Sequence, residues 1–194
     1  MQRKALDRLV SLIGLSLAAI LVVAGALLTW AHTFVGNEVH SQLSAQQIYF
    51  PPQGSKAIAA PEYKEVQKYA GQQLTTGPQA KAYADHFIAN HLKAIGGGKT
   101  YAQLSSQALA NPTDTKLADT VNTMFKGETL RGLLLNAYAF DTMGTIAGIA
   151  AIAAFIAAAV MLVLSALGFW HSRRTPPAEA AFATPAPRAP AGVG

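Results

Sequence analysis

Residues 9 to 30 read LVSLIGLSLAAILVVAGALLTW, and this stretch contains no charged residue. A helix rises about 1.5 Å per residue and the hydrocarbon core of a bilayer is about 30 Å thick, so roughly 20 apolar residues are needed to cross it. The stretch is long enough, and Trp30 stands where an amphipathic ring marks the membrane interface. We therefore predict a first transmembrane helix over residues 9–30.

A cleaved signal peptide is the alternative interpretation of this stretch. Arg3 and Lys4 would be its charged start, and Ala24-Gly25-Ala26 offers the small residues that a signal peptidase accepts. The apolar run continues through Leu27 and Leu28, which makes it longer than the roughly 7 to 15 residues of a signal sequence. The sequence therefore favours an uncleaved anchor.

A second apolar stretch, residues 144–170, is rich in Ala, Ile, Leu and Val and predicts a second transmembrane helix. Basic residues lie outside both stretches, towards the two ends of the chain, whereas none occurs from Ala31 to Ser55. By the positive-inside rule, both termini are predicted to be cytoplasmic and the protein to be a multi-pass protein of the cell membrane. The basic residues in question are Arg3, Lys4, Arg8, Arg173 and Arg174.

The sequence thus divides into five predicted segments. After Arg174 the composition changes to Pro and Ala, which cannot bury enough apolar surface to fold. The segments are a cytoplasmic N-terminus (1–8), transmembrane helix 1 (9–30), an extracytoplasmic helical domain (31–143), transmembrane helix 2 (144–170) and a disordered Pro/Ala-rich cytoplasmic tail (171–194).

Charge and composition exclude some functions. Of the 194 residues 51% are hydrophobic and 13% charged, and the net charge is +5. Nine basic and eight acidic residues lie between the two apolar stretches, a difference of +1, so this region offers no basic stripe for nucleic acid. Cysteine is absent, which excludes disulfides and thiol chemistry.

Helix signals recur between the two spans, and they predict an all-α domain. A short extended piece at 48–50 and an irregular connector precede a short helix that begins at Pro61 and ends near Gly71. Thr76-Gly77-Pro78 predicts the start of an amphipathic helix that ends at Gly96-Gly97-Gly98. Two further helix starts are predicted, a capping box formed by Thr100 and Gln103 and a cap at Asn111 followed by Pro112.

The last helix has no evident stop before the second span. Residues 130–170 are mostly apolar and would extend about 60 Å as a helix, twice the thickness of the bilayer core. We predict that the second span continues into a helical bundle, in which the helix 78–95 covers the protruding apolar residues. A break at 141–144 is the alternative. The residues to be covered are Leu130, Leu133, Leu134, Leu135 and Tyr138.

The sequence contains no pattern that commits to catalysis, a metal or a cofactor. His86 and His91 are five residues apart, about 140° around a helix, and so cannot share a metal as an i, i+4 pair could. Residues 96–100 read GGGKT but lack the first glycine of a phosphate loop and a preceding strand. No serine nucleophile motif and no recognisable carboxylate pair occurs, so the sequence does not predict an enzyme.

Candidate contact residues lie along the last helix. Gly144 and Gly148 form a small-residue pair that permits close approach of another helix, from the first span, another membrane protein or a second copy. Glu128 and Arg131 are spaced for an i, i+3 ion pair just above the bilayer. Asn136 is expected to be hydrogen-bonded into the bundle, and the other interpretation of these polar residues is contact with a partner subunit or a lipid headgroup.

Four short motifs resemble an uncharacterised family of two-span bacterial envelope proteins found mainly in actinobacteria. They are QIYFPP (47–52), TGPQA (76–80), GKTY (98–101) and ETLRG (128–132). The resemblance runs from the first span to the second and implies an envelope location. Some members bear the label aromatic-ring-opening dioxygenase. That chemistry needs two histidines and a carboxylate on an iron, which this sequence does not place together.

Three functional hypotheses follow from the sequence. The first is a non-catalytic membrane protein, such as an accessory subunit of a membrane complex, that contacts other envelope components and the lipid bilayer. The second is an extracytoplasmic module that binds or senses an apolar or lipid ligand, which requires a pocket of a few hundred Å³. The third is a cell-envelope enzyme, which requires a cluster of titratable side chains in one cleft.

Overall fold

The structure, a computed structural model, describes residues 3–174. The prediction of an all-α chain is confirmed, since the regular elements of this range are helices and its β pairing is one isolated bridge, Tyr49 to Gln73. The predicted start of the disordered tail at residue 171 is wrong, because residues 171–174 are helical, and the rest of the predicted tail lies outside the described residues. By contact, the described residues divide into a terminal unit, residues 3–29 and 148–174, and a central unit, residues 30–147.

Two long helices dominate the fold. Helix α1 extends over Arg3–Ala45 and helix α6 over Thr115–Arg174, and both are long and apolar enough to cross a membrane. Helix α6 is unbroken through 141–144, so the second apolar stretch does continue into the preceding helix and the alternative of a break there is wrong. Its continuity follows from the lack of proline between Pro112 and Pro176, because an internal glycine weakens a helix without ending it.

Small residues form the seam of the terminal unit. Along each of the two helices, a small residue is buried at every seventh position. This spacing keeps the same face of each helix in contact with the other helix. Ser11 lies against Gly168, Gly14 against Ser165, and Gly25 against the Phe155 ring, an order that makes the two segments antiparallel. The buried seam positions are Ser11, Ala18 and Gly25 on α1 and Ala151, Ala158, Ser165 and Ser172 on α6.

Between α1 and α6, the central unit contains five short helical segments. After the 3₁₀ turns Lys56–Ile58 and Pro61–Tyr63 come α2 (Lys64–Gln67), α3 (Gly77–Ala82), a π-helical segment (Tyr83–Ile88), α4 (Ala89–Ile95) and α5 (Tyr101–Ala110). The predicted helix near 61–71 and the amphipathic helix from 78 to 95 are therefore present.

Capping residues fix these boundaries much as the sequence predicts. Thr76 forms a capping box with Gln79, and Thr100 forms the predicted one with Gln103. The amphipathic helix ends at Gly96, and Gly97 and Gly98 follow with φ of 57° and 80°, values that glycine adopts without strain. Pro78 is the second helical residue, not the first as predicted.

The predicted start of α6 at Asn111 is wrong. The Asp114 carboxylate accepts a hydrogen bond from the Leu117 amide (2.9 Å), so Asp114 caps the helix and Thr115 is its first residue. Asn111 instead ends α5, and its side chain donates to the carbonyl of Gln107 (3.0 Å). Asn and Asp are both favourable capping residues. The conformation of the turn between them decides that Asn111 caps the end of α5 and Asp114 the start of α6.

Aromatic and aliphatic side chains fill the core of the central unit. Phe50 contacts the rings of Tyr69 and Tyr83, with centroids 5.4 and 5.3 Å away. The extended piece 48–50 is held by two backbone hydrogen bonds to 72–74, from Phe50 N to Gln72 O (2.9 Å) and from Leu74 N to Ile48 O (2.8 Å). Fully buried side chains of the cluster include Leu43, Phe50, Ile58, Leu74, Met124 and Leu134.

The core covers only part of the protruding apolar surface of α6. Leu134 is buried and Leu130, Leu135 and Tyr138 are partly buried, as predicted. Leu133 is 58% exposed, so the prediction that it is covered is wrong. It lies about 100° around the helix from Leu134, and the helix 77–95 packs on too narrow a stripe to reach it.

Candidate functional site

A charged cluster links the amphipathic helix to α6. The Asp85 carboxylate accepts from Lys81 Nζ at 2.9 Å and from Arg131 Nη2 at 3.2 Å. Arg131 Nη1 lies 3.4 Å from Glu128 Oε2, so the i, i+3 pair predicted from the sequence is present. The Lys81 ammonium also lies 5.0 Å from the Tyr138 ring centroid. The contact from Asp85 to Arg131 joins residues 46 positions apart, and the sequence pattern does not reveal it.

Opposing effects act on the pKa of Asp85. Burial raises it, but hydrogen bonds and positive charge from Lys81 and Arg131 outweigh the burial and hold the pKa below its ordinary value. Conversely, the hydrogen bond and charge of Asp85 raise the pKa of Lys81. Both groups are therefore charged at neutral pH, which suits a structural clamp between two helices and not a proton donor or acceptor.

We expect the central unit to lose stability at acidic pH as the Asp85 carboxylate becomes protonated. A carboxyl whose pKa is depressed by folding stabilises the fold above its unfolded pKa, about 3.9, and this stabilisation is lost as pH falls through the folded value. Because water screens the cluster, Asp85→Asn should cost no more than about 1 kcal/mol at pH 7. Chemical denaturation between pH 3 and 7 should show this difference shrinking below pH 4. The exposed Asp119→Asn is the control, and a pH-independent difference for Asp85→Asn contradicts the prediction.

Gly144 lies at a close contact between α1 and α6 in the central unit. It is buried, and a Cβ atom there would lie 3.1 Å from Val35 Cγ1. Nδ1 of His32 donates a hydrogen bond to the Gly144 carbonyl oxygen (2.8 Å). Gly148, predicted with it as a packing pair, is half-buried. The close approach of backbones that small residues permit is therefore used at Gly144 within the chain itself.

Asn136 is exposed, so the expectation that it is hydrogen-bonded into the core is wrong. It lies about 200° around α6 from the buried Leu134, on the face that points away from the core. The predicted contact residues therefore lie in different parts of the central unit. Glu128 and Arg131 belong to the charged cluster, Gly144 to a contact inside the chain, and Asn136 to the outward face.

Large apolar side chains accompany Asn136 on this outward face. Together with the exposed Gly132 they form what we call the α6 face. Leu133 is 58% and Met143 63% exposed, and a Cβ atom on Gly132 would meet nothing within 4 Å. A mid-helix glycine costs about 1 kcal/mol relative to alanine. The apolar members of the α6 face are Phe125, Leu133, Phe140 and Met143.

An apolar groove opens beside the α6 face, between α1 and α6. We call it the proximal groove, and its volume is about 340 Å³. At one edge stand Glu38 and Gln42, whose side chains are hydrogen-bonded to each other (Gln42 Nε2 to Glu38 Oε1, 2.8 Å). Its apolar walls are Phe34, Val35 and Val39 on α1 and Ala137 and Phe140 on α6.

The His91 ring of the amphipathic helix packs among aromatic side chains. The His91 ring packs on Phe87 at a centroid distance of 4.4 Å and on Tyr63 at 5.9 Å. Nδ1 of His91 donates to the Phe87 carbonyl oxygen (2.8 Å). Burial raises the pKa of the neighbouring Tyr83. Within residues 3–174, no group of three or more His, Asp or Glu side chains is placed to hold a metal ion.

Neither protein-family models, nor curated proteins, nor solved structures gave a match to this chain. The resemblance to two-span envelope proteins therefore stays an expectation drawn from the four sequence motifs.

Proposed function

We propose that this chain is a non-catalytic membrane protein whose two helical spans hold an extracytoplasmic helical bundle, and that the α6 face contacts another subunit of a membrane complex. The bundle is the central unit. Both termini lie in the cytoplasm in this proposal.

The distribution of residue sizes in the terminal unit supports membrane insertion. Its seam buries only small residues, while large apolar residues such as Leu12, Ile20 and Ile156 are exposed. A water-soluble helix pair buries its large apolar residues, because the hydrophobic effect drives them together. In lipid that drive is absent and close backbone packing at small residues takes its place. Buried small residues and exposed large apolar residues are therefore the arrangement expected of two helices in a bilayer.

Charge and aromatic residues support the orientation. Basic residues flank the inner ends of both spans and are absent from 31 to 55. The Arg174 guanidinium lies 4.2 Å from the Trp170 ring centroid, a pairing suited to the headgroup region on the cytoplasmic side.

The α6 face is the observation that carries the proposed contact. Phe125 and Leu133 lie more than ten residues, or about 16 Å along the helix, before the predicted span, where the bilayer would not cover them. Exposed apolar patches of this kind mark interaction sites. Gly132, which packs against nothing in the described chain, allows the backbone of a partner helix to come close.

We expect Leu133→Glu to separate the chain from its partner subunit. A carboxylate at a buried contact loses its hydration without gaining a partner, which should weaken binding at least tenfold. The measurement is the native mass of the tagged chain purified from its own membranes in mild detergent. Wild type should migrate as a complex of fixed composition and Leu133→Glu as the free chain.

Leu109→Glu is the matched control for this experiment. Leu109 is 81% exposed on α5, so the same substitution there should leave the complex intact. A wild-type chain that is monomeric, with no co-purifying protein across several detergents, would count decisively against the proposed contact.

A second candidate function is ligand binding by the bundle. The proximal groove supports it, because a volume of about 340 Å³ falls within the range of about 300 to 1,000 Å³ typical of small-molecule sites. Its walls are apolar, so the ligand class would be an apolar molecule or a lipid.

A further inference from the structure

We propose that the proximal groove binds one acyl chain of a membrane phospholipid whose headgroup carries an ammonium group. This inference rests on the membrane insertion proposed above and goes beyond the contact at the α6 face.

The shape of the groove suits a linear occupant. On α1 its lining extends from Phe34 to Gln42, about 12 Å along the helix axis. The groove has a volume of about 340 Å³ over this length and is open along one side. One extended chain is enough to cover its apolar walls.

The chemistry of the walls distinguishes an acyl chain from an extended peptide. Every peptide unit carries an N–H and a C=O group that must be hydrogen-bonded when buried. The groove is walled by two helices whose backbone groups are bonded within each helix, and by the side chains of Phe34, Val35, Val39, Ala137 and Phe140. A peptide in the groove would leave unpaired those backbone groups that face its apolar walls. An acyl chain has no such groups.

The position of the groove connects it with the lipid. Trp30 ends the predicted first span, and its ring stacks on Phe34 at a centroid distance of 5.5 Å with an interplanar angle of 18°. Phe34 is the first wall residue of the groove, about 6 Å along α1 from Trp30. A continuous apolar surface therefore leads from the membrane interface into the groove, and a chain can enter it without crossing water.

Glu38 and Gln42 indicate the headgroup. They are exposed at the groove edge, and the Glu38 carboxylate pairs there with the neutral amide of Gln42. An ammonium headgroup would complement this negative charge, whereas an anionic headgroup would be repelled.

The test uses the full chain in lipid nanodiscs containing phosphatidylethanolamine with a photoactivatable diazirine in the middle of one acyl chain. After irradiation, mass spectrometry locates the labelled residues. We expect label on residues 34–42 as well as on both spans. Ala137→Phe fills the groove and should reduce the label on 34–42 at least tenfold, while span labelling and helix content stay unchanged.

Ala139→Phe is the matched control, because Ala139 is exposed on the same helix outside the groove lining. Phe140→Glu, at a more exposed wall position, gives a second variant and should also lower the label on 34–42. Span labelling without label on 34–42, or equal labelling in Ala137→Phe and Ala139→Phe, overturns the inference. Absence of label from the spans as well would instead overturn the proposed membrane insertion.

Competition with unlabelled lipid tests the headgroup. Phosphatidylethanolamine should compete about twofold to fivefold better than phosphatidylglycerol, as expected for one exposed charge pair, and Glu38→Gln should abolish the preference. Equal competition in the wild type overturns the assigned headgroup. Protein-to-protein crosslinks from the groove, together with a dimeric native mass, would identify a second copy as the occupant and overturn the proposal.

Discussion

Phe50→Ala is expected to destabilise the central unit by about 3 to 5 kcal/mol, which is a large part of the stability of an ordinary domain. The Phe50 side chain is 2% exposed and lies between Tyr69 and Tyr83, so truncation leaves a cavity lined by two rings that the surrounding helices hold in place. The loss combines the transfer free energy of the ring with the cost of this cavity. Thermal unfolding followed by near-ultraviolet circular dichroism of the tyrosines, in mild detergent, measures it.

Tyr49→Ala is the control on the adjacent residue. Tyr49 is 59% exposed and contributes a backbone bridge to Gln73 that alanine preserves. Its substitution should change the free energy of unfolding by no more than about 0.5 kcal/mol. If the two variants have the same free energy of unfolding, the Phe50 side chain does not stabilise the core in the way that the structure indicates.

The local features of this fold could be predicted from the sequence because their causes are local. Hydrophobic length predicts the two long helices, and the capping box at Thr100 depends only on Thr100 and Gln103. The ambiguous case was the turn before α6, where Asn111 and Asp114 are both suitable caps. Sequence pattern does not decide between two caps three residues apart, because the choice depends on how the turn packs.

The candidate site was predicted less completely because it depends on contacts between distant segments. Glu128 and Arg131 could be paired from their spacing, but Asp85, which joins the same cluster, lies on another helix. Likewise, no periodicity distinguishes Leu133 from Leu134 when both belong to one apolar run. The proximal groove is lined by residues of α1 and α6 that lie far apart in the sequence, so no local pattern predicts it.

Gly77→Ala is expected to destabilise the central unit by about 1 to 3 kcal/mol, the usual cost of overpacking. A Cβ atom on Gly77 would lie 2.5 Å from Asp141 Cβ and 2.6 Å from its Oδ2. The nearest atom is bonded directly to the α6 backbone, so no side-chain rotation of Asp141 relieves the contact and the two helices must move apart.

Gly132→Ala should have the opposite sign, although both glycines lie in helical segments. Nothing in the described chain lies within 4 Å of a Cβ atom there, so alanine should gain about 0.5 to 1 kcal/mol through its lower backbone entropy in the unfolded state. The same thermal unfolding assay on the purified chain compares the two variants. Equal effects would mean that the helix 77–95 does not press against Asp141. If Gly132→Ala stabilises the purified chain yet weakens the native complex, then this glycine is kept for a partner helix, and its cost in the isolated chain has a functional cause.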